Sequence, residues 1–216
     1  MTYVFNPAKP VSLPVTGTDQ RFPVRRIYCV GKNYAKHVIE MGGDIERSDP
    51  VFFTKAAQTI VESHSEIPYP PNTENLHYEV ELVVAMGLDG IFGYAAGIDM
   101  TRRDLQADAK KKGGPWDRAK NFDHSAPCSA ITPVANVELQ GAKITLRKNG
   151  TVMQSSKLDK MIWSVGEIIE RLAVDMDLQA GDLIFTGTPE GVGPAAAGDE
   201  LIGEIDGLET IRVRYI

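Results

Sequence analysis

Runs rich in β-branched and aromatic residues recur along the chain and predict a mainly β protein. Arg26-Ile-Tyr-Cys-Val, Val51-Phe-Phe-Thr and Glu79-Val-Glu-Leu-Val-Val-Ala carry the first strand signals. Residues 143–148 alternate polar and apolar side chains and meet Asn149-Gly150, which predicts a two-residue hairpin. Residues 200–205, a turn at Asp206-Gly207 and residues 210–216 repeat that alternation. Helical signals are fewer. Thr101 and Asp104 are spaced as a capping box for a helix that runs to the lysines 110–112 and stops at Gly113. The three lysines are read as cations that complement the negative end of that helix. Ser164 and Glu167 form a second box, and Ile168, Ile169 and Leu172 give its helix an apolar stripe. Residues 1–24, with four prolines and little periodicity, are expected to be an extended arm leading into one domain over 25–216. Without βαβ alternation the expected class is mainly β, or α+β, with a few short helices.

Composition narrows the partners. The 216 residues allow one well-filled core and do not call for two domains. Asp and Glu exceed Lys and Arg by 29 to 23, a formal charge of −6, which argues against a surface built to neutralise phosphates and so against nucleic acid. Charges interrupt every apolar run short of a membrane span, and the N-terminus lacks the basic and apolar regions of a signal peptide. Cys29 and Cys128 make neither a disulfide framework nor a zinc cluster and are expected as core thiols. A soluble cytoplasmic protein is the expectation.

The acids at one strand change the picture. Glu79-Val-Glu81 heads the run Leu82-Val83-Val84-Ala85-Met86. Side chains alternate along a strand, so Glu79 and Glu81 share a face. A half-exposed strand with an acidic edge is the simple alternative. Against it, five consecutive apolar residues imply burial on both faces, and like charges there are costly unless a cation meets them. Asp99 ends a second apolar run, Tyr94-Ala-Ala-Gly-Ile98, though it also suits a helix start. Three carboxylates with no imidazole or thiolate close by suit a hard divalent ion, Mg2+ or Mn2+, and not zinc.

His37 and Glu40 lie three residues apart, neighbours on one helical face. A carboxylate that orients an imidazole makes a general base able to activate water, although exposed pairs of this kind are common. Met41-Gly42-Gly43-Asp44 follows and is expected to serve as a flexible lid. Thr186-Gly-Thr-Pro-Glu-Gly-Val-Gly193 lacks the Gly-Lys-Ser/Thr of a P-loop, and no helical pattern follows it, so it is not a dinucleotide fingerprint. Neither a Gly-x-Ser-x-Gly elbow nor a His-Glu-x-x-His occurs. His64, His77 and His124 are read as structural or solvated.

In order, these pieces resemble the fumarylacetoacetate hydrolase family. The resemblance is carried by Cys29-Val-Gly-Lys-Asn-Tyr-Ala-Lys-His37-Val-Ile-Glu40, Leu76-His-Tyr-Glu79-Val-Glu81-Leu-Val-Val and Ile98-Asp99-Met-Thr-Arg-Arg-Asp-Leu-Gln106. Pro115-Trp-Asp-Arg-Ala-Lys120-Asn-Phe-Asp-His-Ser-Ala-Pro127 and Phe185-Thr-Gly-Thr-Pro-Glu-Gly-Val-Gly-Pro194 extend it over about residues 25–214. The chain is similar to the small acylpyruvate and fumarylpyruvate hydrolases within it. That resemblance implies a twisted β-roll with short helices, a homodimer, a role in aromatic catabolism, and one Mg2+ or Mn2+ per subunit on Glu79, Glu81 and Asp99. It implies His37 and Glu40 as the catalytic dyad, Lys120 and Gln106 as catalytic partners at the oxyanion, and Lys32, Tyr34, Arg103 and Thr188 as substrate contacts.

The reaction so implied is hydrolysis of a carbon–carbon bond in a small-molecule 2,4-dioxo acid, with fumarylpyruvate giving fumarate and pyruvate. Decarboxylation of oxaloacetate and isomerisation of a dioxo acid are alternatives on the same scaffold; neither requires a water-activating dyad. A metal-binding β-domain without catalysis is a third. Two departures from the family stand out. Lys32 replaces a frequent arginine and cannot make its planar fork. Residues 86–91 are much shorter than the family's usual excursion, which suggests residues missing at that point.

Overall fold

The computed structural model describes residues 2–42 and 49–216. Two large sheets form most of it. The first runs Val51–Lys55, Arg26–Gly31, Asp182–Phe185, Val80–Gly87, Gly90–Ile98, Ala126–Cys128 and Ile60–Glu62 from edge to edge, with Thr132–Pro133 paired to Gly90–Ile98. The second runs Thr151–Lys157, Lys143–Lys148, Glu200–Ile205, Ile211–Tyr215 and Ser65–Ile67. Gly193–Ala195 and Thr101–Arg102 flank Leu76–Tyr78 in a small third sheet. Four short α-helices occur among the described residues: α1 (Ala35–Glu40), α2 (Arg103–Lys112), α3 (Asp117–Lys120) and α4 (Val165–Asp175). The mainly β class with short helices is the expected one.

Strand Val80–Gly87 shows why an unbroken apolar run belongs here. Val80 and Leu82 pack with Ile98, Ile144, Leu146 and Leu201 between the two large sheets. Val83 and Ala85 point the other way, onto Ile27, Leu183 and Phe185, where Leu13 and Phe22 from the first 24 residues also pack. Val84 and Met86 meet Trp163, Ile168 and Leu172, the last two on α4. Each fully buried side chain of this kind stabilises the fold by about 1.5–3 kcal/mol. Burial on both faces keeps bulk solvent from the acids at the strand's head, Glu79 and Glu81.

Local signals are met unevenly. Asn149 and Gly150, with φ of 51° and 81°, close the hairpin between Lys143–Lys148 and Thr151–Lys157. Ser164 and Glu167 cap α4 reciprocally, and Gly113 ends α2 with φ of 64°. Thr101 does not cap α2. It lies in Thr101–Arg102 against Leu76–Tyr78, and α2 starts after Arg102 without a side-chain cap. The Asp104 carboxylate instead accepts the Thr73 hydroxyl at 2.7 Å and the Glu74 N–H at 3.0 Å, tying down the neighbouring loop. The short stretch between Met86 and Ile91 closes as a two-residue hairpin, Gly87 pairing with Gly90 around Leu88-Asp89. Cys29 and Cys128 are buried free thiols, as expected.

Candidate active site

Strand register assembles the acids. Val80 pairs with Ile98, and one step on the Asp99 N–H donates to the Glu79 carbonyl at 2.8 Å. Asp99 therefore lies across from Glu79, with Glu81 two residues along the same face. The three are 5%, 2% and 1% exposed, and their oxygens fall within 4.8 Å of one another.

Cations meet two of the three. The Lys120 ammonium, on α3, donates to Glu79 Oε2 and Asp99 Oδ2 at 2.6 Å each. Arg103, at the start of α2, donates from Nη2 to Glu79 Oε1. Burial opposes charge on Glu79, but Lys120 and Arg103 hold its pKa well below the usual carboxylate range. Burial likewise opposes charge on Lys120, and Asp99 and Glu79 more than offset it, so its pKa is raised. Glu81 is the exception. It accepts the Gly187 N–H at 2.8 Å and has no cation hydrogen-bonded to it among the described residues. Burial, with Asp99 and Glu79 beside it, pushes its pKa well up. A hard divalent cation facing all three oxygens would supply the charge that Glu81 lacks, so the donor set fits Mg2+ or Mn2+.

The imidazole sits on the adjoining wall. His37 is buried on α1, with Nδ1 3.3 Å from Glu40 Oε2. Glu40 is itself held by the Gly191 N–H, at 3.0 and 3.2 Å from its two oxygens. With Nδ1 engaged, Nε2 is the nitrogen left to exchange a proton with a molecule in the cavity.

A cavity of about 300 Å³ brings these groups together, with Gln106, Lys32, Arg103 and Thr188 also in its walls. Arg103 Nη1 donates to Gln106 Oε1 at 2.7 Å, which leaves the Gln106 NH2 as a donor. Three of the expected substrate contacts have fold partners of their own. Tyr34 does not line the cavity; it faces a neighbouring groove with Lys36, Lys157 and Lys160, because it enters a bridge with Met161. The Thr188 hydroxyl, in the cavity wall, gives its proton to the Val80 carbonyl at 2.8 Å and accepts Gln154 Nε2 at 2.8 Å. Arg103 is clamped to Glu79 and Gln106. Met41 and Gly42 reach the cavity wall, while Gly43 and Asp44 of the expected lid lie outside the described residues.

Two lysines escaped the sequence reading. Lys55 is 2% exposed, donates to the Met100 carbonyl and Ser125 Oγ, and lies 2.9 Å from Asp99 Oδ1. Its signal was the strand period: Val51 and Phe53 line the cavity, and Lys55 is the next residue on that face. Lys110 lines the cavity too and is not merely a helix-end cation. It follows Arg103 and Gln106 at i+7 and i+4.

The profile of the fumarylacetoacetate (FAA) hydrolase C-terminal family matches residues 26–215. The chain belongs to the fumarylacetoacetate hydrolase family. It is 48% identical over 184 residues to a fumarylpyruvate hydrolase of a Ralstonia species, covering 79% of this chain and 96% of that one. It is 41% identical over 196 residues to the mitochondrial oxaloacetate tautomerase of Homo sapiens, covering 85% and 88%. A crystal structure of fumarylpyruvate hydrolase from Pseudomonas aeruginosa with Mn2+ and pyruvate superposes with a TM-score of 0.96 at 45% identity, over 100% of this chain and 99% of that one. The relatives thus include both a hydrolase and a tautomerase.

Proposed function

We propose that this protein hydrolyses a carbon–carbon bond of a 2,4-dioxo acid, with fumarylpyruvate, cleaved to fumarate and pyruvate, as its substrate. The observation that carries the proposal is the Gly191–Glu40–His37 relay set beside three buried carboxylates. Glu79, Glu81 and Asp99 would hold one Mg2+ or Mn2+, in keeping with the Mn2+ and pyruvate of the Pseudomonas aeruginosa enzyme. When bound, the ion supplies Lewis-acid polarisation of substrate oxygens.

The chain's own residues supply the rest. Glu40, fixed by the Gly191 N–H, orients His37 so that Nε2 removes a proton from water. The water oxygen adds to the distal carbonyl. The NH2 of Gln106, its carbonyl end held by Arg103, donates to the oxyanion that forms. Lys120 keeps Glu79 and Asp99 in place and adds positive charge beside the same centre. When the carbon–carbon bond breaks, the methylene carbon of the pyruvate half takes up the proton carried by His37. A tautomerase also needs a base to move its proton, so the dyad suits either chemistry; the higher identity to a fumarylpyruvate hydrolase, 48% against 41% to an oxaloacetate tautomerase, supports hydrolysis.

Fumarylpyruvate offered to the Mn2+-loaded protein should disappear with equal amounts of fumarate and pyruvate, and a chelator should stop it. A protein that interconverts oxaloacetate tautomers but leaves the dioxo-acid skeleton intact would overturn the reading. The family resemblance further supports a cytoplasmic homodimer acting in aromatic catabolism, for which the expected solution mass is twice 23.6 kDa.

A further inference from the structure

We propose that Lys110, seated over Trp116, is a subsite for the second carboxylate of the substrate and makes the cavity selective for dioxo acids charged at both ends. The proposal rests on the dioxo-acid reading and adds to it the determinant of the acyl group.

Helix α2 presents Arg103, Gln106 and Lys110 to one cavity. Spaced i, i+3 and i+7, they form a single stripe roughly two turns, or about 10 Å, long. The stripe is committed at its near end and open at its far end. Arg103 is taken by Glu79 and Gln106. Lys110 is an exposed residue at the cavity wall, and no carboxylate pairs with it among the described residues. Its ammonium lies 5.2 Å from the centroid of the Trp116 ring, which fixes the flexible stem without neutralising the charge.

Between the two ends the wall is apolar. Trp116 and Phe53 have ring centroids 5.8 Å apart, and both line the cavity with Val51. An acyl chain that is flat and apolar along its length and anionic at its tip matches this order of surfaces. A short uncharged acyl group would leave Lys110 unused. Partial burial is the main cause that lowers the Lys110 pKa; Arg103 and Lys32 act in the same direction and Glu79 opposes them. An ion pair there would be charge-assisted and partly shielded from water.

Two matched pairs of molecules test it. In the Mn2+-loaded protein, binding of 2-oxoheptanedioate and of 2-oxoheptanoate, which differ in the distal carboxylate and cannot be hydrolysed, is measured by calorimetry. The wild type should favour the diacid by about tenfold or more. Lys110→Met should bring that ratio close to unity, Lys110→Arg should restore most of it, and Lys110→Glu should invert it. In turnover, Lys110→Met should lower the ratio of kcat/KM for fumarylpyruvate over acetylpyruvate by about ten- to a hundredfold. Unchanged ratios, or equal losses on both members of a pair, would overturn the subsite. If neither dioxo acid were hydrolysed, the hydrolase reading would fall, and the binding pair would still decide Lys110.

Discussion

The Gly191 N–H points at both carboxylate oxygens of Glu40, 3.0 and 3.2 Å away, and so ties the end of α1 to a glycine loop 151 residues further on. Gly191 has φ of +92°, and a Cβ there would fall 2.2 Å from the Met153 carbonyl oxygen. No other residue fits without moving the loop. The loop is pinned by Gln154, whose Nε2 donates to Thr188 Oγ1 and to the Pro189 carbonyl at 2.8 Å each. Gly191→Ala should therefore lower kcat by about tenfold or more through Glu40, with a stability loss of about 1–3 kcal/mol. Rates and denaturant unfolding of the same variant check both parts; full activity would show that Glu40 needs no backbone support.

The dyad itself should be worth more. His37→Asn removes the nitrogen that faces the cavity and should reduce kcat on the order of 10²–10⁴. Glu40→Gln keeps the imidazole but loses the anion that orients it, so its effect should be smaller. Calorimetric titration with Mn2+ should find near-normal affinity in both, because neither side chain belongs to the carboxylate group Glu79, Glu81 and Asp99.

Gln106 is buried and has its carbonyl end occupied by Arg103 Nη1 at 2.7 Å. Gln106→Leu deletes the NH2 donor and should cost on the order of 10²–10³ in kcat. Gln106→Glu should be worse than Leu for an oxyanion, since it places a negative charge where negative charge develops. Steady-state rates of the two variants, with fumarylpyruvate saturating, would reverse that order if Gln106 merely filled space.

Much of this site was legible because strand period and register are strict. Glu79 and Glu81 could be placed on one face from their spacing alone, and the apolar run after them required burial. That Asp99 lies opposite Glu79 depends on the irregularity between Ala85 and Met86, which shifts the pairing by one residue from the register of the Gly87–Gly90 turn and which spacing alone does not specify. Lys55 and Lys110 were missed for a different reason. A lysine in a strand or a helix end reads as solvated until a third element closes over it, here α3 for Lys55 and the Trp116 ring for Lys110. Thr101 failed as a cap because tertiary pairing with His77 outcompeted a local hydrogen bond. The Thr188 position was legible, but its hydrogen bonds were not, since Gln154, which donates to its hydroxyl, and Val80, whose carbonyl accepts from it, are 34 and 108 residues away.

Glu81 should carry a signature in the metal-free protein. It is buried beside two carboxylates and accepts a backbone N–H, which glutamine can still receive. Glu81→Gln removes a buried carboxyl that is costly to ionise in the folded state, so the chelator-treated variant should melt higher than chelator-treated wild type, by about 2–4 °C for each kcal/mol gained. Mn2+ at a hundredfold its Kd should stabilise the wild type by about 2.7 kcal/mol and the variant far less. A metal-free variant that melts lower would mean that Glu81 is already compensated.

Asp199 should set part of the acid sensitivity of the second sheet. Burial works against its charge, but the Ala196 N–H at 2.8 Å and Asn149 Nδ2 at 2.6 Å, with Lys148 nearby, hold its pKa below the ordinary 3.8. A carboxyl depressed in the folded state stabilises above its unfolded pKa and loses that contribution as pH falls through the folded value. Asp199→Asn should therefore be less stable than wild type at pH 7, and the gap should narrow between about pH 4 and pH 2. The variant also strips one acceptor from the turn that meets the Asn149-Gly150 hairpin, so a residual difference should persist in acid. Urea midpoints of both proteins across this range decide it: a gap that stays constant down to pH 2 would remove the charge of Asp199 from the account and leave its hydrogen bonds alone.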